Sequence, residues 1–284
     1  MARFRVRRVA AAAAVGGSGL TVLTGASIGL VFAEAKLARR AIGVASEVPP
    51  RADGLFGDRQ GTPGTPVEPL RFAILGDSTA AGYGVRSAEQ TPGALLATAI
   101  AEHCERPVLL ANAARVGARS DRLDAQVDAL LGDGRRPPQV AVIMIGANDI
   151  THRMPLPQAA GYLGEAVARL KAAGCEVIVG TCPNLGTIRP IQPPLRWLAR
   201  RWSQSLAALQ AAAVHEAGGR SVPIGTLLGP EFASRSELFG PDRFHPSAEG
   251  YATAAAAVLP ALAAAVWQII RDDGATAGST LTGG

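Results

Sequence analysis

Short apolar runs alternate with helix-length amphipathic segments along most of this chain, and no other feature restricts its fold as much. Arg71-Phe72-Ala73-Ile74-Leu75 is an apolar run closed by Gly76, a pattern expected of a buried strand. Thr91-Pro92 supplies a cap and a first-turn proline for a helix over 91–103. A second strand is expected at Val108–Ala111. It is followed by an amphipathic helix over Ser120–Leu131, with Leu123, Val127, Leu130 and Leu131 on one face. Val140–Ile145 is wholly apolar, as for a strand covered on both sides. A helix over 157–173 stops at Gly174, and Glu176–Thr181 reads as the fourth strand. A helix over 194–217 comes next, then a short fifth strand at Ser221–Ile224, weakened by Pro223. The last helix is expected over Ser247–Ile270, with a bend at Pro260. Strands that alternate with helices build a parallel sheet covered on both faces, whose ligands lie beyond the carboxyl ends of the strands. Hydrophobic residues at 48% supply the core. Aromatics at only 5% imply helices packed through small side chains.

The N-terminus has a different character. Arg3–Arg8 is basic, 9–33 is an uncharged, largely apolar run, and Glu34 precedes Lys36, Arg39 and Arg40. About 20 apolar residues suffice to cross a bilayer, so a signal-anchor helix is expected within 1–42, followed by membrane association through 9–33. This places the domain that follows outside the cytoplasm. A cleaved signal is the alternative, with Ala33-Glu34-Ala35 as a weak cleavage motif and a secreted product. Residues 43–69, rich in Pro and Gly, read as an irregular linker, 70–271 as the folded domain and 272–284 as a disordered tail. The net charge of +5 resides in the N-terminal 40 residues, which carry seven basic groups and one acid; the remainder is close to neutral, so no nucleic-acid partner is expected. Cys104, Cys175 and Cys182 fit no metal-site spacing. They read as small buried hydrophobes, with one disulfide open outside the cytoplasm.

Polar residues collect where the strands end. Gly76-Asp77-Ser78 follows the first, Asn112 and Gly117 the second, and Gly146-Ala147-Asn148-Asp149 the third, while Asp242-Arg243-Phe244-His245 precedes the last helix. A serine hydroxyl is a weak nucleophile that needs a base in hydrogen-bond reach and a third group to orient that base. Histidine, with an ordinary pKa near 6.5, suits the base, and a carboxylate fixes its tautomer. Asp242 and His245 stand three residues apart, so one loop can supply both. An attacked carbonyl needs donors in place, and the Ser78 N–H, the Gly117 N–H and the Asn148 side-chain amide are the candidates.

Taken together, these blocks resemble the SGNH hydrolases, also called GDSL-type lipases/esterases: Ser78, Gly117, Asn148 and His245 match the four signature letters, and Asp242 the acid three residues before the histidine. The resemblance spans about 70–270. It implies a three-layer α/β/α sandwich of flavodoxin-like type with a mostly parallel sheet. It also implies ester hydrolysis through an acyl-enzyme, with Ser78, Asp242 and His245 catalytic, Ser78, Gly117 and Asn148 as oxyanion hole, and neither metal nor organic cofactor. One departure is Ala114, where many relatives have the first glycine of Asn-Ala-Gly-x-x-Gly; it bears on the shape of that loop.

Each residue also has a plainer reading. Ser78 suits a helix N-cap, Asp77 and Asp242 suit loop amides, and Asn148 suits a turn. Asp149 reads as structural, and His103, His152 and His215 as surface residues. The stretch Thr187–Trp202 combines prolines, Arg189, Arg196, Arg200, Arg201, Trp197 and Trp202. It reads as a lid or membrane-facing patch, or, more plainly, as an amphipathic helix with its tryptophans turned inward, which is the expectation adopted. Few insertions remain from which to build a deep lipid tunnel, so the expected substrate is a small-molecule, lipid or glycan ester of short to medium acyl chain. An O-acyltransferase, a carbohydrate O-deacetylase and a non-catalytic binding module are the alternatives.

Overall fold

The computed structural model describes residues 33–37, 40, 43, 47–57, 68–132, 134 and 136–281. Most of the apolar run 9–33, residues 44–46 and 58–67 of the expected linker, and the last three residues lie outside the described residues.

Six strands form one sheet in the order β1-β3-β2-β4-β5-β6: β1 Gly54–Phe56, β2 Leu70–Gly76, β3 Val108–Asn112, β4 Val140–Met144, β5 Glu176–Gly180 and β6 Arg220–Val222. All neighbours are parallel except β1, which runs antiparallel to β3. The intervening helices are α1 Ser78–Ala81, α2 Pro92–Cys104, α3 Leu123–Leu131, α4 Ala147–Thr151, α5 Leu156–Ala172, α6 Leu195–Glu216, α7 Ile224–Leu227, α8 Gly229–Ser234 and α9 Ala248–Leu281. Side chains alternate across the strands and so feed two cores. Phe72, Ile74, Val140 and Val142 pack under α2 and α9, with Ile100, Val258 and Leu262. Ala73, Leu75, Ala141 and Ile143 pack under α3, α5 and α6, with Val127, Leu163 and Val214. The result is a three-layer α/β/α sandwich, buried on both sheet faces as the apolar runs require.

From β2 the chain steps to β3 on one side and later to β4 on the other, so the connections diverge at the carboxyl end of β2. Open α/β sheets place their sites at such a divergence, and Ser78 stands there. Thr91 caps α2 by accepting the Ala94 N–H, as the Thr-Pro signal predicts.

Three expectations change. The 43–69 segment is not irregular throughout: Gly54–Phe56 is strand β1, Ala52 is buried, and Asp53 accepts the Asn112 N–H. Residues 272–281, expected to be disordered, continue α9, because extending a formed helix adds one hydrogen bond per residue ordered. The tryptophans of α6 do not face inward. That helix buries Ala199, Ser203, Leu206, Gln210 and Val214 and leaves Trp197 67% and Trp202 38% exposed. Among the described residues, Ala248–Asp273 in α9 is long and apolar enough to cross a membrane, yet its Val258, Leu262 and Val266 belong to the core. The three cysteines are free.

Candidate active site

Glycine makes the turn that presents Ser78. Gly76 has φ +136, and a Cβ there would lie 1.9 Å from the Met144 carbonyl oxygen, so no side chain fits. The chain then enters α1. Its N-cap is Asp77, whose carboxylate accepts the Thr79 N–H at 2.8 Å, so Ser78 is the first helical residue and not the cap. Burial pushes the Asp77 carboxyl up to about 6, against the opposing influence of the Thr79 N–H and of His245.

The loop before α9 brings His245 to Ser78. Asp242 Oδ1 accepts the N–H groups of both Phe244 and His245, and Arg243 takes φ +55 to close that turn. Asp242 Oδ2 meets His245 Nδ1 at 2.6 Å, and His245 Nε2 meets Ser78 Oγ at 2.9 Å. Burial alone would raise the Asp242 carboxyl; the His245 bond and the backbone donors outweigh it and hold the carboxyl below its ordinary value. Rings of Tyr83 and Phe244 lie 4.5 and 4.9 Å from the imidazole, centroid to centroid, and fix its plane. Ser78 and His245 are each only 6% exposed.

Gly117 and Asn148 enter the same groove, an open cavity of about 720 Å³ also lined by Ser78, Tyr83 and His245. Gly117 sits in the left-handed region at φ +77. Asn148 Nδ2 donates to the Ala118 carbonyl at 3.0 Å, which joins the loop after β3 to the turn after β4. Asp149 braces the same loop by accepting the Ser120 N–H and hydroxyl at 2.9 and 2.7 Å; burial raises its carboxyl despite these bonds. Among the described residues, no acceptor takes the N–H of Ser78 or of Gly117. All five residues singled out from the sequence thus line one groove. His152, expected to be an ordinary surface residue, lines it as well, with Nδ1 2.9 Å from the Asn148 carbonyl. His103 lies elsewhere, against Trp267.

Two buried glutamines went unnoticed in the sequence. Gln126 of α3 takes the Gly76 N–H at 2.8 Å and returns a bond to the Gly76 carbonyl at 2.9 Å. Gln210 of α6 accepts the Cys182 N–H at 2.7 Å and donates to the Ile145 carbonyl at 3.1 Å. Each satisfies backbone groups where strands spread apart, so the ends bearing Ser78 and Asn148 are held in place. A polar residue on the inward stripe of a helix was the only available sign.

A second, apolar cavity of about 80 Å³ opens beside Thr79, between Leu185, Ile188, Leu228, Phe232 and Phe244. The set of groups can deprotonate a hydroxyl and attack a carbonyl.

Residues 74–253 match the GDSL-like lipase/acylhydrolase family. A GDSL-like esterase of Mycobacterium tuberculosis is 45% identical over 242 residues, covering 82% of this chain and 76% of the relative. In fold, the chain resembles a lipase/acylhydrolase from Enterococcus faecalis, with TM-score 0.54 and 20% identity over 68% of this chain and 95% of that one. It also resembles a catalytic mutant of an acetylxylan esterase from Geobacillus stearothermophilus, with TM-score 0.51 and 18% identity over 69% and 95%.

Proposed function

This chain belongs to the GDSL-like lipase/acylhydrolase family and hydrolyses carboxylic esters, and we propose that Ser78, His245 and Asp242 carry out that reaction. The observation that carries the assignment is the chain of two hydrogen bonds from Asp242 through His245 to Ser78 Oγ, 2.6 and 2.9 Å long. His245 Nε2 takes the hydroxyl proton as Ser78 Oγ attacks the ester carbonyl, and Asp242 stabilises the imidazolium that forms. The N–H groups of Ser78 and Gly117 and the Asn148 amide receive the oxyanion. His245 returns the proton to the departing alcohol, which leaves an acyl-serine. It then deprotonates a water, which releases the acid and restores the hydroxyl.

The two cavities support a short acyl preference. A cavity of about 150 Å³ holds a benzene, so the 80 Å³ cavity beside Thr79 suits an acyl chain of roughly two to four carbons. The larger groove is left for the alcohol. The same contrast favours a second reading, removal of acetyl groups from a carbohydrate. The uncharged run 9–33, with its basic flanks, supports a single membrane anchor with the catalytic domain outside the cytoplasm.

A p-nitrophenyl ester series from acetate to palmitate tests the reading, with an acetylated glycan alongside. Fastest turnover is expected at the short end, none in Ser78→Ala, and a serine-reactive phosphonate should label Ser78 alone. Label on another serine overturns the nucleophile; a palmitate optimum overturns the chain-length assignment.

A further inference from the structure

The outward face of α6 serves no part of the reaction, yet it exposes two of the three tryptophans. Trp197 is 67% and Trp202 38% exposed, with exposed Arg200 and Arg201 between them. Aromatics left partly exposed beside arginines suit a lipid interface, where ring and guanidinium settle among the headgroups.

The path of the chain says what covers this face. Glu34 is the first charged residue after the uncharged run 9–33. Its Oε2 accepts the Leu195 N–H at 3.0 Å, at the first residue of α6, where the helix dipole favours a carboxylate. The segment that follows the run is therefore tied two residues from Trp197. In the same turn, at 33–37, Leu37 is 62% exposed and Lys36 is exposed. A bilayer that holds 9–33 must begin within a helical turn or so of Trp197. The face is basic, which selects an anionic surface. Helix α6 also starts at the carboxyl edge of the sheet, so the face lies on the same side of the molecule as Ser78, and Leu185 and Ile188 of the small cavity belong to the loop that leads into it.

We propose that the α6 face formed by Trp197, Arg200, Arg201 and Trp202 rests on anionic lipid and holds the catalytic groove at the bilayer surface. The proposal depends on the reading of 9–33 as an anchor. Trp267 is an internal control. It is 40% exposed but lies toward the opposite edge, its ring 5.9 Å from that of His103 at the end of α2.

The experiment uses the full chain in phosphatidylglycerol–phosphatidylcholine vesicles that contain brominated lipid. Trp202→Phe/Trp267→Phe leaves Trp197 as the single emitter, and Trp197→Phe/Trp202→Phe leaves Trp267. Bromolipid should quench Trp197 and spare Trp267. Arg200→Gln/Arg201→Gln, at about fivefold per charge, should lower the ratio of docked to undocked domain about 30-fold and relieve the quenching of Trp197, with hydrolysis of soluble p-nitrophenyl butyrate retained as the sign of folding. If the chain stays with carbonate-washed vesicles and Trp197 is quenched no more than Trp267, the docking face is wrong while the anchor stands. Release of the chain by carbonate removes the anchor and this proposal with it. A concentration-dependent dimer in detergent that shields Trp197 assigns the face to a second copy and overturns the proposal.

Discussion

Asn148 donates one hydrogen of its side-chain amide to the Ala118 carbonyl at 3.0 Å and keeps the other for the groove. The bond fixes the amide of α4 against the loop after β3 that carries Gly117. Asn148→Ala removes a donor that matters most when negative charge develops on the attacked oxygen. The expected loss is about 10²–10³ in kcat with KM little changed. Steady-state kinetics on a short p-nitrophenyl ester measure it, and an unchanged kcat assigns Asn148 to the turn alone.

Gly117 and Gly76 should respond differently to alanine. A Cβ on Gly117 meets nothing within 4 Å, so only its φ of +77 is strained, at a cost of about 1–3 kcal/mol. Gly117→Ala should fold, melt lower and lose turnover as the N–H turns away. A Cβ on Gly76 would strike the Met144 carbonyl, so Gly76→Ala should not yield folded protein. Circular dichroism melts separate the two, and equal destabilisation would contradict the geometry.

The pH dependence of stability should carry a signature of Asp77. Its carboxyl is raised to about 6 in the fold from an ordinary 3.8, chiefly by burial. Its contribution is therefore fully present below the ordinary value and is lost as pH rises through about 6. Asp77→Asn keeps an acceptor for the Thr79 N–H and removes the ionisation. The variant should gain about 1–3 kcal/mol over wild type at pH 7 and little at pH 4. Urea melts across this range check it; a gain independent of pH rules the titration out.

Gln126→Ala should be costly in a way that a surface helix position is not. It strands the buried N–H of Gly76, at about 1–3 kcal/mol, while the Gly76 carbonyl keeps the Arg115 N–H at 3.1 Å. Stability should fall by about 1–3 kcal/mol, and kcat should fall too because Gly76 positions Ser78. A loss below about 0.5 kcal/mol, the range of ordinary surface substitutions, would mean that water replaces the glutamine.

The central strands were legible because burial on both faces leaves an uninterrupted apolar run, as in Val140–Met144. The catalytic candidates were legible because each closes such a run or precedes a helix. Strand β1 was not: Gly54-Leu55-Phe56 is too short for a period and sits among prolines and glycines. Helices α1 and α4, with 4 and 5 residues, are hidden for the same reason. The facing of α6 was misread because its inner stripe carries Ser203 and Gln210. The larger hydrophobes Trp197 and Trp202 point the other way, so an apolar pattern alone selects the wrong side. Gln126 was hidden because its partners are backbone groups of a distant strand.

Strand β1 also decides where this protein can be cut. It occupies the flank of β3, pairing Gly54 to Phe56 with Leu110 to Val108, and Leu109 is already 45% exposed. A fragment begun at residue 70, just where strand β2 starts, would leave β3 with a bare row of N–H and carbonyl groups, a template on which a second molecule can add its own strand. Such a fragment should self-associate in proportion to its concentration while keeping Ser78 and His245 intact. One begun at 43 should remain monodisperse.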